Sequence, residues 1–418
     1  MKKKIFRVDE KILKNLNNSK REHKLLIEEH IDDSIKKDIA IEKDQKKIKV
    51  RNPGIDLGRI LSIMSILINH ILMGGGFMHK FNQHYKILYS LFAALNWNIS
   101  CFIFISGYIG YKTTKYSNLI YLWFWALFYS ITINIYFIKF KPQIYNKPIG
   151  ILDFFIISTY QYWYFTTYFG MYLFLPVINK GLEIITKLQL KMTFISFIFF
   201  FVVLRDCINP TNDIFKESNG RSVLWFLIFY ITGAYFGKFK NENFSQKKKY
   251  IYFLIYVLIY SITTYLCIKS PFYKINKNNQ NFKDKIKLFI KLCFVARNSS
   301  IVQVLQSISI ILFLTSIKYN KYIAKIFATI GPLVFSVYLI HVHPIIYFKL
   351  FNPHFKKDYS SNLSLVTVLK IILLKSSQIF IICIIIDYFR NLLFRICQIR
   401  KISISIEKLI LKLFSYLI

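Results

Sequence analysis

The chain has 418 residues, of which 54% are apolar and only 19% charged, below the roughly 25% charged residues of an ordinary soluble domain. The apolar residues come in long blocks, and a bilayer span needs about 20 of them in succession. This composition excludes a soluble globular enzyme, a secreted disulfide scaffold and a disordered tail protein.

The formal net charge is +36, from 57 Lys and Arg against 21 Asp and Glu. The excess is scattered between apolar blocks rather than gathered on one domain. That pattern favours basic loops at a membrane surface over a nucleic-acid partner. The six cysteines are dispersed without metal or redox spacing, so we treat them as small apolar residues and expect no metal site.

The charge distribution divides the chain into three parts. Residues 1–50 lack an apolar run and carry both charges, which predicts a charged cytoplasmic tail. Residues 51–390 form the predicted transmembrane domain. Residues 391–418 are basic and amphipathic, as in a helix that lies at the membrane interface.

The long apolar blocks predict an all-α polytopic membrane protein with about ten transmembrane helices, since only helices satisfy the backbone of such long segments in lipid. The expected spans are residues 55–74, 87–110, 118–138, 154–178, 192–208, 222–237, 250–268, 300–317, 328–350 and 366–388.

Lys and Arg in the short loops set the expected orientation. They place the N-terminus in the cytoplasm, and we expect a multi-pass protein of the plasma membrane. One segment opposes this arrangement, because residues 269–297 hold eight basic residues and would lie outside.

The first span carries the residues with chemical potential. Asp56 and Arg59 stand at its start and His70 lies eleven residues after Arg59. Eleven residues are just over three helical turns, so Arg59 and His70 project from one face, about 16 Å apart along the axis. An ionisable side chain at this depth is costly unless it faces protein or water. The stripe therefore indicates a polar interior cavity, with His70 as proton-transfer residue and Arg59 as anion-binding residue. A structural His and an Arg that reaches the interface are the alternatives.

Beyond these two residues, the order of four short segments along the chain is informative. They are Ile103 to Tyr108 with its Ser-Gly pair, Tyr162 to Phe165 followed by Tyr172 and Pro176, Trp225-Phe226 with Tyr230 and Gly233, and Ser336 to His341. Together with Arg59, ten residues and His70, they resemble the acyltransferase-3 family of integral-membrane O-acyltransferases. The likeness covers most of the chain after residue 51 and is strongest for members that modify capsular polysaccharides and exopolysaccharides.

The resemblance implies transfer of an acyl group, most often acetyl, from a cytosolic acyl-CoA (acetyl-CoA) to a hydroxyl of a glycan or lipid-linked sugar. It assigns His70 and Arg59 as catalytic and Arg59, Lys112 and Lys115 as donor-binding. Many relatives have two Arg where this chain has the two Lys, which keep the charge and lose the bidentate fork.

Three residues are candidates for substrate binding: Trp163, Tyr172 and His341. Two of them have a simpler alternative, namely an interfacial aromatic belt for Trp163 and a buried structural role for His341. In the same way, Ser106-Gly107 could be close helix packing and the two Lys ordinary loop residues. A small-solute or lipid transporter, or a non-catalytic partner in polysaccharide export, stays open as the alternative function.

Overall fold

The computed structural model describes residues 52–77, 84–112, 114–144, 162–204, 215–216, 218–239, 246–269, 298–351 and 363–417. The predicted tail (residues 1–50) and most of the basic segment 269–297 lie outside these residues. The described residues are helical and contain no strand, which confirms the all-α polytopic fold.

The α-helices follow one another along the chain, with short 3₁₀ or π turns between some of them. They are α1 (Pro53–Gly74), α2 (Tyr85–Ala94), α3 (Asn98–Gly110), α4 (Tyr116–Phe140), α5 (Trp163–Ile184), α6 (Lys187–Ile198), α7 (Val223–Lys238), α8 (Gln246–Lys269), α9 (Ile301–Ser316), α10 (Lys321–Ile330), α11 (Val334–His341), α12 (Leu365–Ile396) and α13 (Ile399–Leu417). The short turns are Pro142–Ile144, Phe199–Leu204, Gly331–Leu333 and Ile345–Phe351.

Seven segments of the described chain are long and apolar enough to cross a bilayer. They are Pro53–Gly74, Tyr85–Gly110, Tyr116–Phe140, Lys187–Leu204, Lys248–Lys269, Lys321–His341 and Leu365–Ile396. Helices α7 and α9 are apolar but have 16 residues each. At 1.5 Å per residue they reach about 24 Å, short of a hydrocarbon core of about 30 Å. The expected number of about ten spans is therefore not confirmed.

The expected span 328–350 is wrong as a single helix. Helix α10 ends at Ile330, a 3₁₀ turn covers Gly331–Leu333, and α11 ends at His341. Proline has no N–H to continue the ladder, and Pro332 lies in the turn. A Cβ at Gly331 would lie 2.6 Å from the Asp56 carboxylate, so only glycine lets the chain pass this close to α1.

Other boundaries differ less. The expected span 87–110 contains a break between α2 and α3, where the Asn98 amide donates to the Leu95 carbonyl at 2.7 Å. Helix α5 runs on through Pro176 to Ile184, and α12 continues to Ile396. The predicted amphipathic C-terminus is helical as α13 and packs against α4, where Arg400 donates to the Asn118 amide oxygen at 2.5 Å.

Helix starts follow the local sequence. Several helices begin after a Ser, Thr or Asn whose side chain accepts a backbone N–H of the first turn, as is usual for N-caps. Ser222 caps α7, Ser300 caps α9 and Ser364 caps α12. Thr186 and Gln189 form a reciprocal capping box at the start of α6.

Helix α1 occupies the centre of the bundle. It packs against α2, α3, α9, α10, α11 and α12. Gly54 permits the contact with α9, since a Cβ there would lie 2.2 Å from the Leu314 carbonyl oxygen. The central position explains why α1 buries polar residues such as Asp56 and Asn69, which would be costly on a lipid-facing surface.

A buried ion pair ties α12 to α4. Arg390 donates to both carboxylate oxygens of Asp387 at 2.8 and 2.9 Å, and the side chains of Trp125 and Tyr129 donate to the same carboxylate. The Arg390 guanidinium also lies 3.9 Å from the centre of the Trp125 ring. Every charge of the pair is hydrogen-bonded, as burial of ions requires.

Helices α3 and α7 cross at a row of glycines. A Cβ at Gly107 would lie 1.9 Å from the Tyr230 carbonyl oxygen, and one at Gly233 would lie 2.1 Å from the Phe104 carbonyl oxygen. Ser106 donates to the Phe102 carbonyl of its own helix at 2.9 Å. The Ser-Gly pair therefore serves close helix packing, as small residues do in membrane proteins.

The crossing predicts that Gly107→Ala destabilises the protein, because the added methyl meets backbone that cannot move independently. Overpacking of this kind costs roughly 1–3 kcal/mol, so the apparent melting temperature in detergent should fall by several degrees. Gly181→Ala is the matched control, since a Cβ at this helical glycine meets nothing within 4 Å. Equal melting temperatures for the two variants would contradict the crossing.

Candidate functional site

His70 lies on the last turn but one of α1, at the side of the helix that faces α11. The serines below it do not reach toward it. Within α1, the Ser62 hydroxyl donates to the Gly58 carbonyl and the Ser65 hydroxyl donates to the Leu61 carbonyl, each at 2.7 Å. These hydroxyls are occupied by the backbone, so His70 is the reactive group that α1 presents at this depth.

The structure pairs His70 with His341. His70 Nδ1 lies 3.0 Å from His341 Nε2, although 271 residues separate the two in the chain. His341 is buried, and its Nδ1 contacts the Val337 carbonyl oxygen one turn earlier in α11. The sequence offered no partner for His70, and the helix break before α11 is what brings this one into place.

The pairing fixes which nitrogens carry protons when both rings are neutral. A carbonyl oxygen only accepts, so His341 Nδ1 must donate to Val337, and His341 Nε2 is then an acceptor. His70 Nδ1 therefore donates to His341, which leaves the lone pair on His70 Nε2. The Tyr347 ring packs edge-on against the His70 ring, with centroids 5.4 Å apart.

A cavity of about 250 Å³ opens beside His70. Helices α1, α2, α3, α5 and α11 form its walls, together with the segments that precede α7 and α9. The lining residues are Ile63, Ile66, Asn69, His70, Met73, Phe92, Asn96, Asn98, Ile99, Phe102, Trp163, Tyr164, Asn219, Arg221, Asn298, Val334, Phe335 and Tyr338.

The cavity wall changes in polarity with depth. Exposed Met73, Asn219 and Arg221 mark its mouth, near the end of α1. Buried Ile63 and Val334 belong to its floor, which is apolar and aromatic. The cavity thus offers a polar entrance, an imidazole in its wall and an apolar interior, as expected of a pocket for a small organic group.

Arg59 lies one turn of α1 beyond Ile63 and does not line this cavity. Its Nη1 donates to the buried Asp56 carboxylate at 3.1 Å, and its side chain is 24% exposed. It is close enough to Tyr164 and Tyr168 to interact with them electrostatically. Arg59 and His70 share one face of α1, as the spacing predicts, with the cavity floor between them.

The two predicted donor lysines lie at the opposite end of α1 from the cavity mouth. Lys112 and Lys115 are exposed in the short connection between α3 and α4. Three tyrosines of α5, Tyr164, Tyr168 and Tyr172, form a row between this loop and the cavity, and we call them the tyrosine seam. Tyr164 lines the cavity and stacks on Tyr168, and the Tyr172 hydroxyl donates to the Lys115 carbonyl at 2.8 Å.

The three predicted substrate residues are placed differently from one another. Trp163 lines the cavity, and Tyr172 does not. His341 also stays outside the lining and contacts His70 instead. Sugar binding by Tyr172 and His341 stays a prediction. In this structure the Tyr172 hydroxyl binds the Lys115 carbonyl, and His341 binds the His70 ring.

Sequence reasoning missed the most polar part of the cavity wall. Arg221 and the asparagines come from four separate segments, so no spacing in the chain joins them. Arg221 still carried a signal, because the chain contains 47 Lys and only 10 Arg. An Arg in such a Lys-rich composition indicates a position where the planar guanidinium has a specific use.

These features define a polytopic helical membrane protein with a histidine pair beside an internal cavity. The sequence model of the acyltransferase-3 family, described as an acyltransferase domain, matches residues 52–386. The chain belongs to this family. It is a membrane acyltransferase, and the match extends from α1 into α12. No curated protein and no solved structure matches the chain.

Proposed function

We propose that the protein transfers an acyl group, most simply acetyl, from acyl-CoA to a hydroxyl of a cell-surface or lipid-linked glycan. The observation that carries the proposal is the position of His70, which lines the cavity while its Nδ1 is hydrogen-bonded to His341. This arrangement leaves the basic nitrogen Nε2 available to a substrate and holds the ring in one orientation.

In the proposed reaction, His70 Nε2 accepts the proton of the acceptor hydroxyl as that oxygen attacks the thioester carbonyl. The C–S bond then breaks, and the departing CoA sulfur takes the proton back from His70, so protons and charge balance over the cycle. His341 passes part of the transient positive charge to the Val337 carbonyl through its own N–H. Asparagine amides of the cavity wall are the hydrogen-bond donors available to the oxyanion. A two-step route in which His70 carries the acyl group uses the same geometry.

The two substrates reach His70 from opposite ends of α1 in this proposal. The exposed polar mouth suits a glycan hydroxyl. Basic residues concentrate at the other end, in the described connections and the helical turns beside them, as expected of a cytoplasmic face: Lys112, Lys115, Lys180, Lys187, Lys191, Lys238, Lys318, Lys321 and Lys325. A cytosolic acyl-CoA would bind there and extend its thioester past Arg59 along the tyrosine seam.

His70→Ala should abolish transfer from radiolabelled acetyl-CoA, because general-base catalysis contributes about 10²- to 10⁴-fold. His84→Ala is the matched control. His84 is a described histidine outside the cavity lining, with its Nε2 2.9 Å from the Leu363 carbonyl. Wild-type turnover in purified, folded His70→Ala would refute the proposed role.

His341 should behave as a positioning residue. His341→Leu leaves the His70 N–H without an acceptor, so we expect kcat to fall roughly 10- to 100-fold, as for lost supporting contacts elsewhere, with the KM for acetyl-CoA unchanged. His341→Gln should recover part of kcat, since its amide oxygen can accept the same N–H. A loss in His341→Leu that appears only in KM, or that Gln does not relieve, would contradict this role.

Substitution of Lys112 and Lys115 should change the KM for the acyl-CoA donor and leave the KM for the acceptor unchanged. Each exposed charged contact contributes about 0.2–1 kcal/mol, so the double variant to Gln should raise the KM for acetyl-CoA roughly 2- to 30-fold. The KM for acetylpantetheine, which lacks the nucleotide phosphates, should stay unchanged. Lys86→Gln, a change of an exposed lysine on α2 outside both the cavity lining and the proposed donor surface, is the control. Equal effects on both donors would contradict phosphate binding by these lysines.

A further inference from the structure

Five asparagines line the cavity near its mouth, and we refer to them as the amide rim. They are Asn69, Asn96, Asn98, Asn219 and Asn298. They come from α1, from the break between α2 and α3, and from the segments before α7 and α9. The segments that precede α7 and α9 contribute Asn219 and Asn298 to this wall.

One member of the amide rim, Asn69, has a buried oxygen that can still accept a hydrogen bond. Asn69 is 5% exposed, and its Oδ1 has no hydrogen-bond partner among the described residues. It precedes His70 in α1 and lines the same cavity. An unpaired buried oxygen is destabilising, and a hydrogen bond donated by a ligand hydroxyl would remove that cost.

Arg221 adds a positive charge to the same wall. It is exposed at the mouth, and its guanidinium lies 5.1 Å from the centre of the Trp163 ring. No carboxylate of the described chain forms an ion pair with it, and the cavity lining contains no Asp or Glu. Arg221 is also near enough to His70 for an electrostatic interaction. The ring contact holds the guanidinium beside the cavity wall, and no carboxylate of the described chain competes for its N–H groups.

We propose that Arg221, Trp163 and the amide rim form a subsite for an acidic group of the acceptor, so that the enzyme prefers a glycan with a carboxylate or phosphate close to the acylated hydroxyl. The inference rests on the proposed function, because it places the acceptor at the mouth beside His70. Amides suit sugar hydroxyls by both donating and accepting. A guanidinium suits a carboxylate or a phosphate through two parallel hydrogen bonds.

Binding to the full-length protein in nanodiscs tests the subsite separately from catalysis. The probes are a hyaluronan tetrasaccharide with uronate carboxylates, a polyprenyl-phosphoglucose with a phosphodiester, and neutral chitotetraose. We expect at least one charged probe to bind about tenfold or more tightly than chitotetraose, as charge-assisted contacts allow. The charged probe that binds identifies carboxylate or phosphate as the recognised group.

Arg221→Gln should remove this preference and leave the Kd for chitotetraose unchanged, whereas Arg221→Lys should retain part of it through charge alone. Lys216→Gln is the matched control, since Lys216 is exposed in the same segment and outside the cavity lining. Equal binding of charged and neutral probes, no binding of either charged probe, a preference that persists in Arg221→Gln, or an equal loss in Lys216→Gln would each overturn the subsite. Failure of the proposed function is distinguishable, because it would appear as no acetyl transfer from acetyl-CoA by the wild-type protein while the Arg221-dependent binding preference is intact.

Discussion

The hydrogen bond between His70 and His341 joins the first and the eleventh helix at the depth where the cavity lies. An imidazole placed inside a membrane domain needs a partner for its N–H, because lipid offers none and an unsatisfied polar group there costs several kcal/mol. His341 Nε2 accepts this hydrogen bond, and His341 Nδ1 in turn donates to the Val337 carbonyl. One consequence is orientation: the His70 ring, which lines the cavity, is held through Nδ1, and Nε2 is the nitrogen left outside this hydrogen bond.

This pair constrains the helices around it. Helix α11 can bring His341 to α1 only because the chain breaks at Gly331–Leu333, where Gly331 passes the buried Asp56 carboxylate. Asp56 in turn holds Arg59 at the far end of the same helix face. The ends of α1 are thus fixed by different contacts, and the cavity lies between them. The segments that precede α7 and α9 complete the cavity wall with Asn219, Arg221 and Asn298.

Much of the fold could be predicted from hydropathy, and the reason for each difference is local. Periodicity identifies α1 and α4 nearly to the residue, because each is a long apolar helix flanked by polar residues. It joins α10, α11 and the turn after them into one span, because hydropathy does not register that Pro332 interrupts the backbone ladder. The Arg59 and His70 face follows from the helical repeat. His341, Arg221 and the amide rim do not, because their proximity to His70 is set by tertiary packing of segments far apart in the chain.

The most direct test of the account is a cryo-electron microscopy structure of the protein in nanodiscs with a non-hydrolysable acetyl-CoA analogue. The account predicts the acyl end in the cavity beside His70, within about 3–4 Å of Nε2 or of a water bonded to it, and the nucleotide at the end where α1 begins, near Lys112 and Lys115. An acyl end outside the cavity, or a nucleotide bound at the mouth beside Arg221, would contradict it.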